Sequence, residues 1–254
     1  MLLVIDLGNT NLTLGLYRGK ELALHWRLAT DQSRMPDEYG IQMLNMLQHG
    51  GCKLDDIEGI CFSSVVPPLS ERIIQACQAY LQRTPLQVTS DLKLGITISY
   101  DDPQAVGADR IADAAAAWQL YGGPACVVDF GTAITFNALT REGAYLGGAI
   151  TAGLGIAMDA LVKRTAKLLP VELQVPPNVI GRNTVHAIQS GLVNGTVAMV
   201  EGMLQRFKAE LGADTKIIAT GGMVNVIVPH TKAIEVIAPW LTLDGLRIIW
   251  ELNR

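Results

Sequence analysis

Residues 2–6 form an apolar run that ends in a carboxylate, and after the loop Asp6-Leu7-Gly8-Asn9-Thr10 apolar positions resume over 11–17. Apolar runs flanking a glycine turn predict two strands closed into a hairpin. The same grammar returns past the middle of the chain, where an apolar run from 125 leads into Asp129-Phe130-Gly131-Thr132 and a second strand follows through 139. Arg18-Gly19-Lys20 turns the first hairpin into a third strand at 21–29, and the second hairpin continues into a strand at 145–151. Asp6 and Asp129 stand close to half of the 254 residues apart. The pattern therefore predicts an α/β body with pseudo-twofold halves.

Between the repeats the period changes. Residues 35–51 read as a helix, with Pro36 in its first turn, Asp37 and Glu38 at the positive end of its dipole and Gly50-Gly51 as its stop. Residues 59–64 form a buried strand running into Val65-Val66-Pro67-Pro68, followed by an amphipathic helix at 70–82, a short strand near 86–88 and a strand-like stretch at 96–100. The alanine-rich segment 107–121 reads as a helix stopped by Gly122-Gly123. Helices are expected at 155–168 and 184–211, a strand at 216–219 leading into Thr220-Gly221-Gly222, and a closing helix at 243–252. Two domains follow, 1–114 and 115–254, with the hinge within 99–123.

Composition narrows the function. Hydrophobic residues make up 49% and charged residues 17% of the chain, enough apolar material for two cores. A net charge of −4 without any basic run offers no footprint for nucleic acid, so no such partner is expected. Cys52, Cys61, Cys77 and Cys126 lack metal-ligand spacing, which predicts reduced thiols and a cytoplasmic protein. The opening apolar run has no basic leader and meets a carboxylate at Asp6, so it reads as a buried strand, not a signal peptide. No stretch reaches the roughly 18 apolar residues of a membrane span, and no membrane partner is expected.

The candidate chemistry lies in the loops. Gly8 and Gly131 let the backbone approach a phosphate oxygen, and Asn9, Thr10, Asn11 and Thr132 can add side-chain donors. Asp6 and Asp129, at strand ends, are placed to hold a cation or its waters. No P-loop is present, because Gly19-Lys20 is followed by Glu21. Gly153-Leu154-Gly155 begins like a dinucleotide fingerprint but has Met158 at its third glycine position. Ala219-Thr220-Gly221-Gly222 suits a flat adenosine platform or an ordinary helix-start loop. Asp109 and Arg110 open a helix, where they are either solvated charges or a proton acceptor with a cationic partner. Tyr100, Thr184, Ser63 and Ser64 could read a substrate; for Thr184 the competing role is a helix cap, and for the serines a strand end. The four histidines are scattered and carry no assigned catalysis.

Seven segments taken in order, DLGNTN (6–11), SSVVPPL (63–69), GADRIADAAAAW (107–118), VVDFGTAITF (127–136), GGAITAGLG (147–155), GRNTVHAIQSG (181–191) and ATGGM (219–223), resemble type III pantothenate kinase over almost the whole chain. The resemblance implies the acetate/sugar-kinase and actin-like fold: duplicated actin-like (ribonuclease H-like) domains, each a mixed sheet flanked by helices, with an ATP cleft between them. It implies transfer of the γ-phosphate of ATP to the primary hydroxyl of pantothenate, giving 4'-phosphopantothenate on the way to coenzyme A. On the family's pattern Asp6, Leu7, Gly8, Asn9, Thr10, Asn11, Leu12 and Thr13 bind ATP, together with Thr132. Asp109 is the proton acceptor, and Tyr100, Gly107, Ala108, Asp109, Arg110 and Thr184 line the pantothenate pocket. Asp129 is the ligand of a monovalent cation, K⁺ or NH₄⁺, needed beside Mg²⁺. The family is dimeric, and Gly191, Gly195, Ala198 and Gly202 could supply the close packing of a homodimer.

Three positions depart from the pattern. Ile134 and Asn137 stand where Thr and Asp are frequent, which is expected to weaken cation binding on that side, and Ala152 replaces a common proline. Two rival readings stay open: an accessory transcriptional regulator of the same fold, and a kinase of the same superfamily acting on another acid or sugar. The chain has neither a helix-turn-helix pattern nor a basic stripe for direct DNA contact.

Overall fold

In the computed structural model, which describes residues 1–254, the chain divides into two compact units. The first comprises Met1–Gln119 with Leu241–Arg254, and the second Leu120–Trp240.

The first unit contains β1 (Leu2–Leu7), β2 (Asn11–Arg18), β3 (Glu21–Ala29), α1 (Pro36–His49), β4 (Gly59–Ser64), α2 (Pro67–Leu81), β5 (Leu86–Gln87), β6 (Thr97–Ile98) and the start of α3 (Ala108–Tyr121). Its sheet runs β3-β2-β1-β4-β5, antiparallel among the first three strands and parallel from β1 outward to β5. Strand alternation puts Leu3, Ile5, Leu12, Leu14, Ile60 and Phe62 into one core with Tyr39 and Met43 of α1 and Leu69 and Ile73 of α2. α2 begins three residues before its amphipathic pattern, because Pro67 and Pro68 fit a first turn whose N–H groups need no helical acceptor.

The opposite face of this sheet is covered by α8 (Leu241–Asn253). A Cβ on Gly15 would lie 2.9 Å from Leu243, one on Gly59 would overlap Trp250, and one on Gly245 would overlap the Ala112 backbone of α3. The Tyr17 hydroxyl donates to Asp244 at 2.8 Å, Arg247 stacks on the Tyr17 ring, and Thr242 donates to Asp113 at 2.7 Å. The closing helix, expected in 115–254, thus belongs to the first unit, and α3 runs on past residue 114. Glycines in the first sheet leave the room that its leucine and tryptophan fill.

The second unit repeats the plan. It contains β7 (Ala125–Phe130), β8 (Ala133–Leu139), β9 (Ala144–Ala152), α4 (Leu154–Arg164), α5 (Thr184–Gln189), α6 (Gly195–Leu211), β10 (Lys216–Thr220), α7 (Val224–Ile227) and β11 (Val236–Ile237). Its strands are ordered β11-β10-β7-β8-β9, so β7, β8, β9, β10 and β11 correspond to β1, β2, β3, β4 and β5. Cys126, Val128, Phe130, Phe136 and Ile217 build its core with Val200 and Leu204 of α6. A π turn at Ser190–Asn194 joins α5 to α6, so the helix expected at 184–211 is one rod with a local bulge. All four cysteines are free, and burial pushes the thiols of Cys61, Cys77 and Cys126 up to about 12. Those thiols are packing groups. No helix is long and apolar enough to cross a membrane.

Candidate active site

In the first unit the loop after β1 is tied back by its carbonyls. The Gly8 amide donates to Asn11 O at 2.9 Å, while Thr30 donates through its hydroxyl to Gly8 O (2.6 Å) and through its amide to Thr10 O (2.9 Å). With those carbonyls engaged, the exposed Asn9 keeps an amide that has no acceptor in the chain. Outward backbone N–H groups at such a turn form an anion-binding concavity. Thr30 escaped the sequence reading, since only the folded hairpin brings it back to the loop.

Asp6, next to the end of β1, stands directly opposite Ser63 of β4 and Thr13 of β2. Ser63, fully buried, donates to Asp6 Oδ1 at 2.7 Å. Asp109 stands in the first turn of α3, its Oδ1 accepting the Arg110 amide at 2.7 Å. A Cβ on Gly107 would sit 2.7 Å from that oxygen, so a side chain there would push this carboxylate aside. Arg110 is 8% exposed, which removes the solvated-charge reading of that residue. Tyr100 is exposed before the turn at Pro103–Ala105.

Asp6 and Asp109 titrate as neighbours. Burial, and then the Asp109 charge, push Asp6 up from 3.8 to about 7, opposed by the Ser63 hydrogen bond and by Arg27. Burial also raises Asp109, against the Arg110 amide and charge. A carboxyl raised on folding holds its proton in the native state at pH values where the unfolded chain has lost it. Stability should therefore fall as pH rises from about 4 to about 7 and level off above that window. The melting temperature of the ligand-free protein is expected to show this slope, and Asp6→Asn to flatten much of it. An identical slope in Asp6→Asn would assign the effect to other groups.

The second unit builds a parallel arrangement. Gly131 N donates to Ala133 O at 3.0 Å, closing the loop after β7, and Gly153 N donates to Thr132 O at 3.1 Å. Asp129 pairs across the sheet with Thr220 of β10 and Thr135 of β8. Gly221, at φ +98°, lies against the Asp129 carboxylate and the Phe130 backbone, with no room for a Cβ. The dependence on Gly153 and Gly221 was hidden in sequence, because both make their contacts with residues far along the chain.

Thr184 lies elsewhere in this unit. It is the first residue of α5, but the cap is Asn183, whose Oδ1 accepts the His186 amide at 2.9 Å. The capping role considered for Thr184 is thus taken, and Thr184 lines a cavity of about 700 Å³ together with Leu161, Leu168, Arg182, Ile188 and Leu192.

Comparison with known proteins places the chain in a family. A family model described as type III pantothenate kinase matches residues 2–206. A type III pantothenate kinase from Roseiflexus sp. (strain RS-1) is 46% identical over 254 residues, covering all of both chains. The chain belongs to the type III pantothenate kinase family.

Among solved structures, one described as a Baf family transcriptional activator from Campylobacter jejuni aligns over 98% of this chain and 97% of its own, with a TM-score of 0.63 at 19% identity. An inorganic polyphosphate/ATP-glucomannokinase from Arthrobacter sp. strain KM aligns over 98% of both chains, with a TM-score of 0.52 at 16% identity. These likenesses concern the fold, that of duplicated actin-like domains.

Against the family pattern, Ile134 is buried in the apolar core, and alternation along β8 points it away from the face that carries Asp129. A hydroxyl lost there is lost from the core side. Asn137, fully buried, is held by Tyr145, whose hydroxyl donates to its Oδ1 at 3.2 Å, and itself donates to Thr135 Oγ1 at 3.1 Å.

Proposed function

We propose that this member of the type III pantothenate kinase family carries out its ATP-dependent phosphorylation of pantothenate through Asp109, with the loop from Asp6 to Thr13 as the nucleotide grip. The observation that supports this most is the pairing of two half-buried carboxylates, Asp6 and Asp109, beside a loop whose carbonyls are tied back. Asp109 takes the proton of the pantothenate hydroxyl as its oxygen attacks the γ-phosphorus. Its elevated basicity, caused by burial, suits that task better than a solvated carboxylate would. Proton transfer is late in a loose phosphoryl-transfer transition state, so orientation of the alcohol carries most of the effect. Tyr100, Gly107, Ala108, Arg110 and Thr184 hold the acceptor in this reading.

In the second unit Thr132 contacts the nucleotide and Asp129 holds a monovalent cation, K⁺ or NH₄⁺, with Mg²⁺ accompanying the phosphates. Asp129 is a carboxylate, and the residues that pair with it in the sheet, Thr220 and Thr135, carry hydroxyls, oxygen ligands of the kind that suits hard cations. When bound, the cations neutralise phosphate charge. A homodimer is part of this proposal. Gly191, Gly195 and Gly202 have open space where a Cβ would point, and Val179 and Ile180 are 72% and 81% exposed, as a surface awaiting a second copy would be. A cytoplasmic location follows from the substrates.

The test is incubation with Mg-ATP and pantothenate in potassium and in sodium buffer. ADP and 4'-phosphopantothenate are expected in equal amounts, faster in potassium. Tight ATP binding without product would favour a regulator, product only from another alcohol would favour a different acceptor, and equal rates in both buffers would remove the role of Asp129.

A further inference from the structure

Four strands of the first unit each contribute one polar residue to a single line. Ser63 of β4 pairs with Asp6 of β1, Asp6 with Thr13 of β2, and Thr13 with Arg27 of β3. Directly paired residues project from the same face of a sheet. Leu24, Trp26 and Leu28 pack towards the core shared with α1 and α2, so alternation sends Arg27 to the opposite face, that of Asp6. α8 covers this face at Gly15, Tyr17 and Gly59, all towards the other end of β1, and Arg27 is exposed. Its guanidinium makes no hydrogen bond or ion pair, although its charge is felt at Asp6. From β1 to β3 is two strand spacings, about 10 Å, most of which an arginine side chain can span.

The duplicated unit supplies a control. Its corresponding line is Thr220, Asp129, Thr135 and Ile150. A hydroxyl, an aspartate and a threonine recur in order, but the fourth place is an isoleucine that is 64% exposed. This strand position in this fold therefore does not need a cation. The first line also has the second carboxylate, Asp109, beside its aspartate. A polyphosphate brought to such a face meets two acidic groups, and an uncommitted guanidinium on the same face is the complementary charge.

We propose that Arg27 binds the γ-phosphate of ATP and stays with it through transfer. In that step the alcohol oxygen bonds to the γ-phosphorus, the bond to the bridging oxygen breaks with its electron pair passing to ADP, and the alcohol proton goes to Asp109. Arg27 keeps its protons and supplies hydrogen bonds to the equatorial oxygens, where negative charge is spread. This rests on the kinase reading above for the acceptor and on the sheet register for Arg27.

The experiment measures ATP and ADP dissociation constants and steady-state kinetics for wild type, Arg27→Gln, Arg27→Lys and Arg27→Ile. Losing a charge-assisted hydrogen bond to phosphate should weaken ATP binding about tenfold or more, with ADP binding and the pantothenate KM nearly unchanged. kcat should fall in Arg27→Gln and recover in part in Arg27→Lys. Arg27→Ile, which installs the residue type of the second unit, should melt at the wild-type temperature. Unchanged ATP affinity, an equal loss for ATP and ADP, or a loss that merely tracks a lower melting temperature would overturn the assignment. The ATP-to-ADP contrast needs no acceptor, so it is read even if wild type fails to phosphorylate pantothenate.

Discussion

Asp109→Asn is expected to lower kcat by about 100-fold or more while ATP and pantothenate affinities stay within a few-fold of wild type. The substitution keeps the shape of the side chain. An asparagine carbonyl can still accept the Arg110 amide that Asp109 accepts at 2.7 Å, so the first turn of α3 should hold its form. Only the capacity to take a proton and the charge disappear. The charge has a second readout, because Asp109 is one of the causes that raise Asp6. In Asp109→Asn the Asp6 carboxyl should titrate lower than about 7, which carbon-detected NMR of aspartate side chains can follow. Steady-state kinetics with direct measurement of both dissociation constants separates turnover from binding. Wild-type kcat in Asp109→Asn would remove this residue from the chemistry.

The second large effect is expected at Gly221. Its φ of +98° is a conformation that side-chain-bearing residues rarely adopt, and a Cβ there would overlap Asp129 Oδ1 and the backbone of Phe130. Neither neighbour can yield easily, since one is the carboxylate proposed to hold a cation and the other closes β7. Gly221→Ala should cost roughly 3 kcal/mol or more of stability and displace Asp129. Gly122→Ala makes the matched control. Gly122 also has a positive φ, +73°, but nothing lies within 4 Å of the position a Cβ would take. Only backbone strain remains there, about 1 kcal/mol. Denaturant unfolding of the two variants, with activity in potassium buffer, tests the contrast. Equal stability losses at 122 and 221 would mean that the loop after β10 does not rest on Asp129.

Much of this was legible before folding, for a physical reason. Strand alternation and glycine turns are local, so the hairpins around Gly8 and Gly131, the start of α1 at Pro36 and the stop of α3 before Gly122 could all be placed from neighbouring residues. What stayed hidden depends on long-range pairing. Arg27 sits in a run where His25 and Arg27 alternate with Leu24, Trp26 and Leu28, which signals an outward face but not that Asp6 shares it. Thr30, Gly153 and Gly221 act through contacts that no local pattern encodes. The closing helix returns to the first unit because Gly15 and Gly59 leave space for Leu243 and Trp250. Ile134 illustrates the converse: a departure that motif reading places at a ligand site falls on the core face of β8.

The most direct measurement of the whole account is a crystal structure of the protein with a non-hydrolysable ATP analogue, Mg²⁺, K⁺ and pantothenate. The primary hydroxyl of pantothenate should lie within hydrogen-bond distance of the Asp109 carboxylate and in line with the γ-phosphorus. A pantothenate hydroxyl directed away from Asp109, with a different side chain at the attacking oxygen, would contradict it.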